Sequence, residues 1–154
     1  MKPSDSPSKL LDDFSHGWRD WYQLNAGNHD HWQHWTRKVT DPKWRGPDGS
    51  QLALTLKVAE ANRMTVVAME NEWRNYRGPR RTFTAEVALR GAAEAQTHAI
   101  ALGDFKGTTD GTPLKSWDQL DLLGFSAQSE GAAKTAPVRR WAGKEPEFLR
   151  LEWK

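Results

Sequence analysis

From Glu70 to Arg81 the chain reads ENEWRNYRGPRR, and this stretch carries the residue types most able to do chemistry. Glu70 and Glu72 are carboxylates two residues apart. On one strand face they would stand about 7 Å from each other, which is compatible with the carboxyl spacing of glycoside hydrolysis. Arg74, Arg77, Arg80 and Arg81 offer planar forks of donors to carboxylate, sulfate or phosphate. Trp73 and Tyr76 add aromatic faces, and Asn71 an amide. Sugars present a C–H face to an indole and hydroxyls to Arg, Glu and Asn, and single-stranded nucleic acid stacks its bases on aromatics beside cations. Recognition is thus the chemistry this mixture supports. Catalysis has less behind it, because no G-x-S-x-G, P-loop, G-x-G-x-x-G or H-E-x-x-H motif accompanies the glutamates. The plainer role for Glu70 and Glu72 is to orient Arg74, Arg77 or a ligand hydroxyl, and the plainest alternative is a solvated arginine hairpin pairing with Glu70, Glu72 and Glu86.

Two other groups have metal-ligating types. His29, Asp30, His31 and His34 include a His-x-His pair, which on a strand can turn both imidazoles to one side of a transition metal. Their turn-rich setting predicts solvated loop histidines instead, with His34 packing beside Trp35 at a strand start. Asp12 and Asp13 are hard oxygen ligands near the start of the chain, and Glu152 lies near its end. If the first and last strands pair, these carboxylates and nearby loop carbonyls suit one structural calcium ion, although no twelve-residue calcium loop is present.

The elements that must position these residues read as strands. Gln51 to Val58 alternates cleanly, with Leu52, Leu54, Leu56 and Val58 on one face and Ala53, Thr55 and Lys57 on the other. Met64–Met69 is a short apolar run that leads into the arginine loop, and Thr82–Leu89 alternates again beyond it. Further strands are expected at Leu10–Phe14, at His34–Val39 with Trp35 and Arg37 on one face, at Gln96–Leu102, within Trp117–Ala127 and at Phe148–Trp153. About eight or nine short strands with turn signals between them, and no sustained helical period, predict an all-β antiparallel β-sandwich. Outward positions of the central strands, Ala53, Thr55, Thr84, Ala88, Ala99 and Ala101, are small or polar, as a shallow groove for a polar chain would require.

Composition sets the limits. A chain of 154 residues suits one domain, expected over 10–154, behind a Pro- and Ser-rich flexible leader over 1–9 that lacks the apolar centre of a signal peptide. A net charge of +2 argues against a general nucleic-acid binder and predicts weak, salt-dependent binding at most. Cysteine is absent, which excludes disulfides and thiolate chemistry. No apolar run approaches the length that spans a bilayer. Nine tryptophans are more than a sandwich core of this size absorbs, so about half of them are left for surfaces that bind.

Three segments carry a resemblance: LLDDFSHGW, QLALTLKV and HAIALGDFKGTTDGTPLKSWDQLDLLGF. They are similar to the galactose-binding-like jelly-roll domains, many of which are carbohydrate-binding modules attached to polysaccharide-degrading enzymes. The shared form D-F … G-x-x-L-x-x-W-x-x-[LI]-x-x-L is matched by Asp104, Phe105, Gly111, Leu114, Trp117, Leu120 and Leu123. The segment DWYQLNAGNHDHWQHWTRKVTDPKWRGPDG also resembles the jelly-roll domain beside bacterial carbohydrate-esterase-like hydrolases. The resemblance covers nearly everything after Lys9 and rests on structural motifs. It implies a jelly roll, a calcium ion near the chain ends, ligands on the concave face or end loops, and Trp117 in the core.

These readings combine into an expected non-catalytic carbohydrate-binding module, extracellular or periplasmic, that holds a linked polysaccharide-active enzyme on an acidic glycan. Trp73, Tyr76, Trp21 and Trp35 are the expected stacking residues. Arg74, Arg77 and Arg37 would hold acidic groups, and Glu70 and Asn71 would hydrogen-bond hydroxyls. The alternatives are a structural domain packed on its hydrolase without binding sugar, and a small lyase or hydrolase using Glu70, Tyr76 and Arg77.

Overall fold

A strand whose side chains alternate leucine with small or polar residues must bury one face, and Leu52, Leu54 and Leu56 do so completely. The computed structural model describes residues 9–24, 32–71, 78–127 and 141–154. Its ten strands are β1 (Lys9–Asp12), β2 (Tyr22–Leu24), β3 (Gln33–Thr36), β4 (Leu52–Lys57), β5 (Asn62–Glu70), β6 (Arg81–Leu89), β7 (Gln96–Ile100), β8 (Lys106–Gly107), β9 (Leu120–Ser126) and β10 (Glu147–Trp153). The smaller sheet runs β1-β10-β4-β7 and the larger β2-β3-β9-β5-β6-β8.

Every pairing is antiparallel. Four of the pairs are nested in sequence: β1 with β10, β3 with β9, β4 with β7, and β5 with β6. A long hairpin rolled so that alternate nested pairs fall into opposite sheets is a jelly roll. The expected antiparallel sandwich is the observed fold, and the first and last strands pair as anticipated. The extra strands are β2 and β8, each added to an edge of the larger sheet. The expected leader gives up Lys9, which pairs with Trp153 and whose ammonium donates to the carbonyls of Pro42 and Arg45.

The core lies between the sheets. Leucines of β4 meet Met64, Val66 and Ala68 of β5, Phe83, Ala85, Val87 and Leu89 of β6, and Leu123 and Phe125 of β9. Trp21, Trp32, Trp117, Trp141 and Trp153 are buried, five of the eight indoles among the described residues. Trp117 is core, as the resemblance implied, and its Nε1 donates to the Ser50 carbonyl at 3.0 Å. The strand expected over His34–Val39 stops at Thr36, whose hydroxyl accepts the Lys38 amide at 3.1 Å and starts a 3-10 turn at Lys38–Thr40.

Of the small outward positions, Thr84, Ala88 and Ala99 line one groove of about 550 Å³ where the two sheets approach each other, and Ala53 and Thr55 are not in its lining. Ala53, Thr55 and Ala99 belong to strands of the smaller sheet, whereas Thr84 and Ala88 belong to a strand of the larger. Identical alternation in β4 and β6 cannot reveal that the two strands sit in different layers.

Candidate functional site

The solvent face of the larger sheet is defined by its register. One row crosses all of its strands: Tyr22, Trp35, Gly124, Val67, Thr84 and Lys106. Leu122, Met69 and Thr82 form a shorter parallel row. Tyr22 and Trp35 stack with centroids 4.4 Å apart and planes 19° from parallel. The Arg37 guanidinium carbon lies 4.9 Å from the Trp35 ring and 5.8 Å from the Tyr22 ring. Beside this stack is a depression of about 240 Å³ lined by Trp35, Val67, Met69, Thr82, Leu122 and Gly124, among others. Glycine is required at Gly124, because a Cβ there would lie 2.7 Å from the Cβ of Trp35 and 2.8 Å from the His34 carbonyl oxygen. Its bare backbone forms the floor between Trp35 and Val67. The surface thus combines an aromatic wall, an apolar floor and a hydroxyl-bearing far side.

Next to it, a cleft of about 640 Å³ is lined by Arg19, Tyr22, Arg37, Lys38 and Trp44, with Asp20 and Asp41. The ammonium groups of Lys38 and Lys43 lie 4.1 and 5.0 Å from the Trp44 ring centroid. Lys38 and Lys43 therefore gather on Trp44.

A second place is the end of the larger sheet, where β5 passes into the arginine loop. Its pocket of about 560 Å³ is lined by Glu70, Asn71, Arg81, Phe83, Asp110, Thr112, Lys115 and Gln119, with Gly78, Pro79, Pro113 and Ser116. Asn71 takes the left-handed conformation (φ 55°), which asparagine tolerates better than most residues. Its amide nitrogen donates to the Pro79 carbonyl at 3.0 Å and to Gln119 Oε1 at 2.9 Å. Arg81, cross-strand partner of Glu70, donates to the Thr112 hydroxyl at 2.8 Å and lies 3.7 Å from Asp110. Burial pushes the Glu70 carboxyl above its ordinary range, against the opposing pull of Arg81. Asp110 is held below its ordinary range by hydrogen bonds from Thr112.

The residues nominated from sequence therefore divide. Glu70 and Asn71 share the end pocket, while Trp35 and Arg37 belong to the sheet face. Trp73, Arg74, Tyr76 and Arg77 lie outside the described residues. Trp21 is corrected from platform to core: it is 8% exposed, stacks on Phe125 at 5.5 Å and donates its indole N–H to Asp12 at 2.7 Å. Period-two alternation turns adjacent residues to opposite faces, and at the edge of β2 it is Tyr22, 55% exposed, that faces solvent. Sequence reasoning missed Tyr22 and Gly124, and the signal for the first was the alternation of Trp21, Tyr22, Gln23 and Leu24.

The histidines and acids fall elsewhere. His34 is fully buried, not solvated: its ring stacks on Trp18 at 3.9 Å, and its two nitrogens meet Glu145 at 2.6 Å and Gln23 at 3.2 Å. His29, Asp30 and His31 lie outside the described residues. Each proposed calcium ligand is engaged locally. Asp12 accepts from the Phe14 amide and Trp21, Asp13 from the Ser15 amide, and Glu152 from Arg150. Among the described residues, no group of three His, Cys, Asp or Glu side chains is placed to hold a metal ion. No helix among them is long and apolar enough to cross a membrane.

No protein-family model, curated protein or solved structure matches the chain.

Proposed function

We propose that this protein is a non-catalytic glycan-binding domain and that the solvent face of the larger sheet is its binding surface. The observation carrying this reading is the stacked Tyr22–Trp35 pair, with Arg37 over it, beside the trough floored by Gly124 and Val67. A pyranose lays its C–H face on the indole, and its hydroxyls reach Thr82 and Thr84. Arg37, together with Arg19 of the neighbouring cleft, favours a chain bearing carboxylates or sulfates. Weak, reversible attachment of this kind suits a module that raises the local concentration of a linked polysaccharide-active enzyme outside the cell or in the periplasm.

Affinity electrophoresis through gels containing neutral and acidic polysaccharides tests the reading. Retardation by an acidic glycan, lost in Trp35→Ala and reduced by added salt in the wild type, is the expected result. If no polysaccharide in the panel retards the protein, or if Trp35→Ala migrates like the wild type in every gel, the sheet face is not the binding surface.

One observation favours a second reading, hydrolysis. Glu70 and Asp110 line one pocket, and burial raises the Glu70 carboxyl, as suits a general acid. Release of reducing ends from the same polysaccharides by purified protein, abolished in Glu70→Gln, would favour it over simple binding.

A further inference from the structure

The end pocket carries an unmet hydrogen-bonding requirement that the sheet face does not explain. Asn71 is 5% exposed and lines the pocket, and its Oδ1 has no hydrogen-bond partner among the described residues. The orientation of the amide is fixed by its surroundings: the nitrogen faces two oxygens, the Pro79 carbonyl and Gln119 Oε1, so turning it over would set oxygen against the main-chain carbonyl. A buried acceptor in this state calls for a donor from outside the fold. Glu70 adds a second acceptor on the same wall, and its carboxyl is poorly solvated.

The charges choose the class of donor. Glu70 and Asp110 supply two carboxylates to the lining, and Arg81 and Lys115 supply two cations. A phosphate or sulfate would meet both acids, and an ammonium would meet both bases. A neutral hydroxyl suffers neither repulsion, donates to Asn71 and Glu70, and can accept from Lys115. Pro79 and Pro113 give the same pocket apolar wall for C–H groups.

We infer that the pocket between Asn71, Glu70 and Lys115 is a second ligand site, for a neutral pyranose that presents adjacent free hydroxyls. It is independent of the sheet-face reading, since it shares no residue with the Tyr22–Trp35 stack. A domain with both sites would hold a ring at the end of the sandwich as well as one lying on its face.

The test is amide NMR of the full chain, titrated separately with methyl β-D-galactopyranoside, methyl β-D-glucopyranoside and methyl α-D-mannopyranoside. Saturable shifts of the Asn71 and Gln119 side-chain amides by at least one glycoside are expected. Trp35→Ala should leave them unchanged, which separates this site from the sheet face. Asn71→Gly, which keeps the left-handed backbone and removes the whole side-chain amide, should abolish the shifts of Gln119. Glu70→Gln does not depend on that turn, and it should weaken binding about tenfold, the loss of one hydrogen bond to a charged group. Shifts that persist undiminished in a folded Asn71→Gly or in Glu70→Gln would overturn the assignment. So would the absence of saturable shifts with all three glycosides, including the case where Asn71 shows contacts to bound water only.

Discussion

Replacing Gly124 by alanine isolates what holds the sheet face in shape. The added Cβ would stand 2.7 Å from Trp35 Cβ, 2.8 Å from the His34 carbonyl oxygen and 3.2 Å from Trp35 Cα. All three atoms are backbone or the first side-chain carbon of β3, so no rotamer change relieves the collision and β3 must move away from β9. Overpacking of this kind costs about 1–3 kcal/mol. Gly124 is not among the positive-φ glycines, so alanine fits its backbone and recovers about 0.4–1 kcal/mol through the less flexible unfolded chain. Taken at their midpoints the two terms leave a net loss of about 1.3 kcal/mol, which for a chain of this size lowers the melting temperature by about 3–5 °C. Calorimetry or circular dichroism reads the shift, and polysaccharide retardation should fall with it as Trp35 is displaced. Adding Trp35→Ala should not rescue stability, because alanine retains the offending Cβ. An unchanged or raised melting temperature in Gly124→Ala, or a double variant restored to the wild-type value, would refute this reasoning.

His34→Ala should cost about 2–4 kcal/mol in urea denaturation, because it leaves a void where the ring stacks on Trp18. His34→Phe should cost less, since it keeps the stack and loses only the bonds to Glu145 and Gln23. For Glu70, burial raises the folded-state carboxyl above 4.5, so the folded form holds its proton more tightly than the unfolded one. The resulting penalty is absent below pH 4.5 and grows as pH rises through the folded value. Glu70→Gln should therefore raise the melting temperature at neutral pH and not at pH 3. The opposite order, or a pH-independent effect, would contradict that linkage.

Much of the fold was legible because jelly-roll strands obey a local rule. The leucines of β4 and the alternation of β6 fix which side of each strand is inside, whatever the topology. The two unforeseen strands show where that rule fails. β2 is three residues among turn-forming neighbours and β8 only two, too short for any period to register. Both exist because a longer partner, β3 or β6, offers an edge. The candidate surfaces were less legible for a related reason. Trp35 and Arg37 do meet, although β3 ends before Arg37, but their partner Tyr22 comes from an added strand, and Gly124 arrives from the other side of β3 through long-range pairing. His34 looked like one of a solvated set because its neighbours are polar. What buries it is an aromatic box completed by Trp18 and Phe148, from opposite ends of the sequence.

One irregularity separates the two surfaces. Met69 pairs with Leu122 but Glu70 with Leu120, so Asp121 is left over as a bulge. Before the bulge, Met69 and Leu122 still belong to the trough of the sheet face. After it, Glu70 and Asn71 line the end pocket, with the Asn71 amide donating to the Gln119 carbonyl at 3.0 Å. The bulged residue is fully buried, and the Thr40 hydroxyl meets its carboxylate at 3.1 Å and its carbonyl at 3.2 Å. Thr40→Val keeps the shape of that contact and deletes its donor, which should destabilise the protein by about 1–3 kcal/mol. If the bulge positions the end pocket, the same variant should shift the Asn71 and Gln119 side-chain amides while leaving the backbone amides of Tyr22 and Trp35 and the Trp35 indole N–H in place. Equal perturbation of both sets would mean that the sheet moves as one body and that the bulge does not divide it.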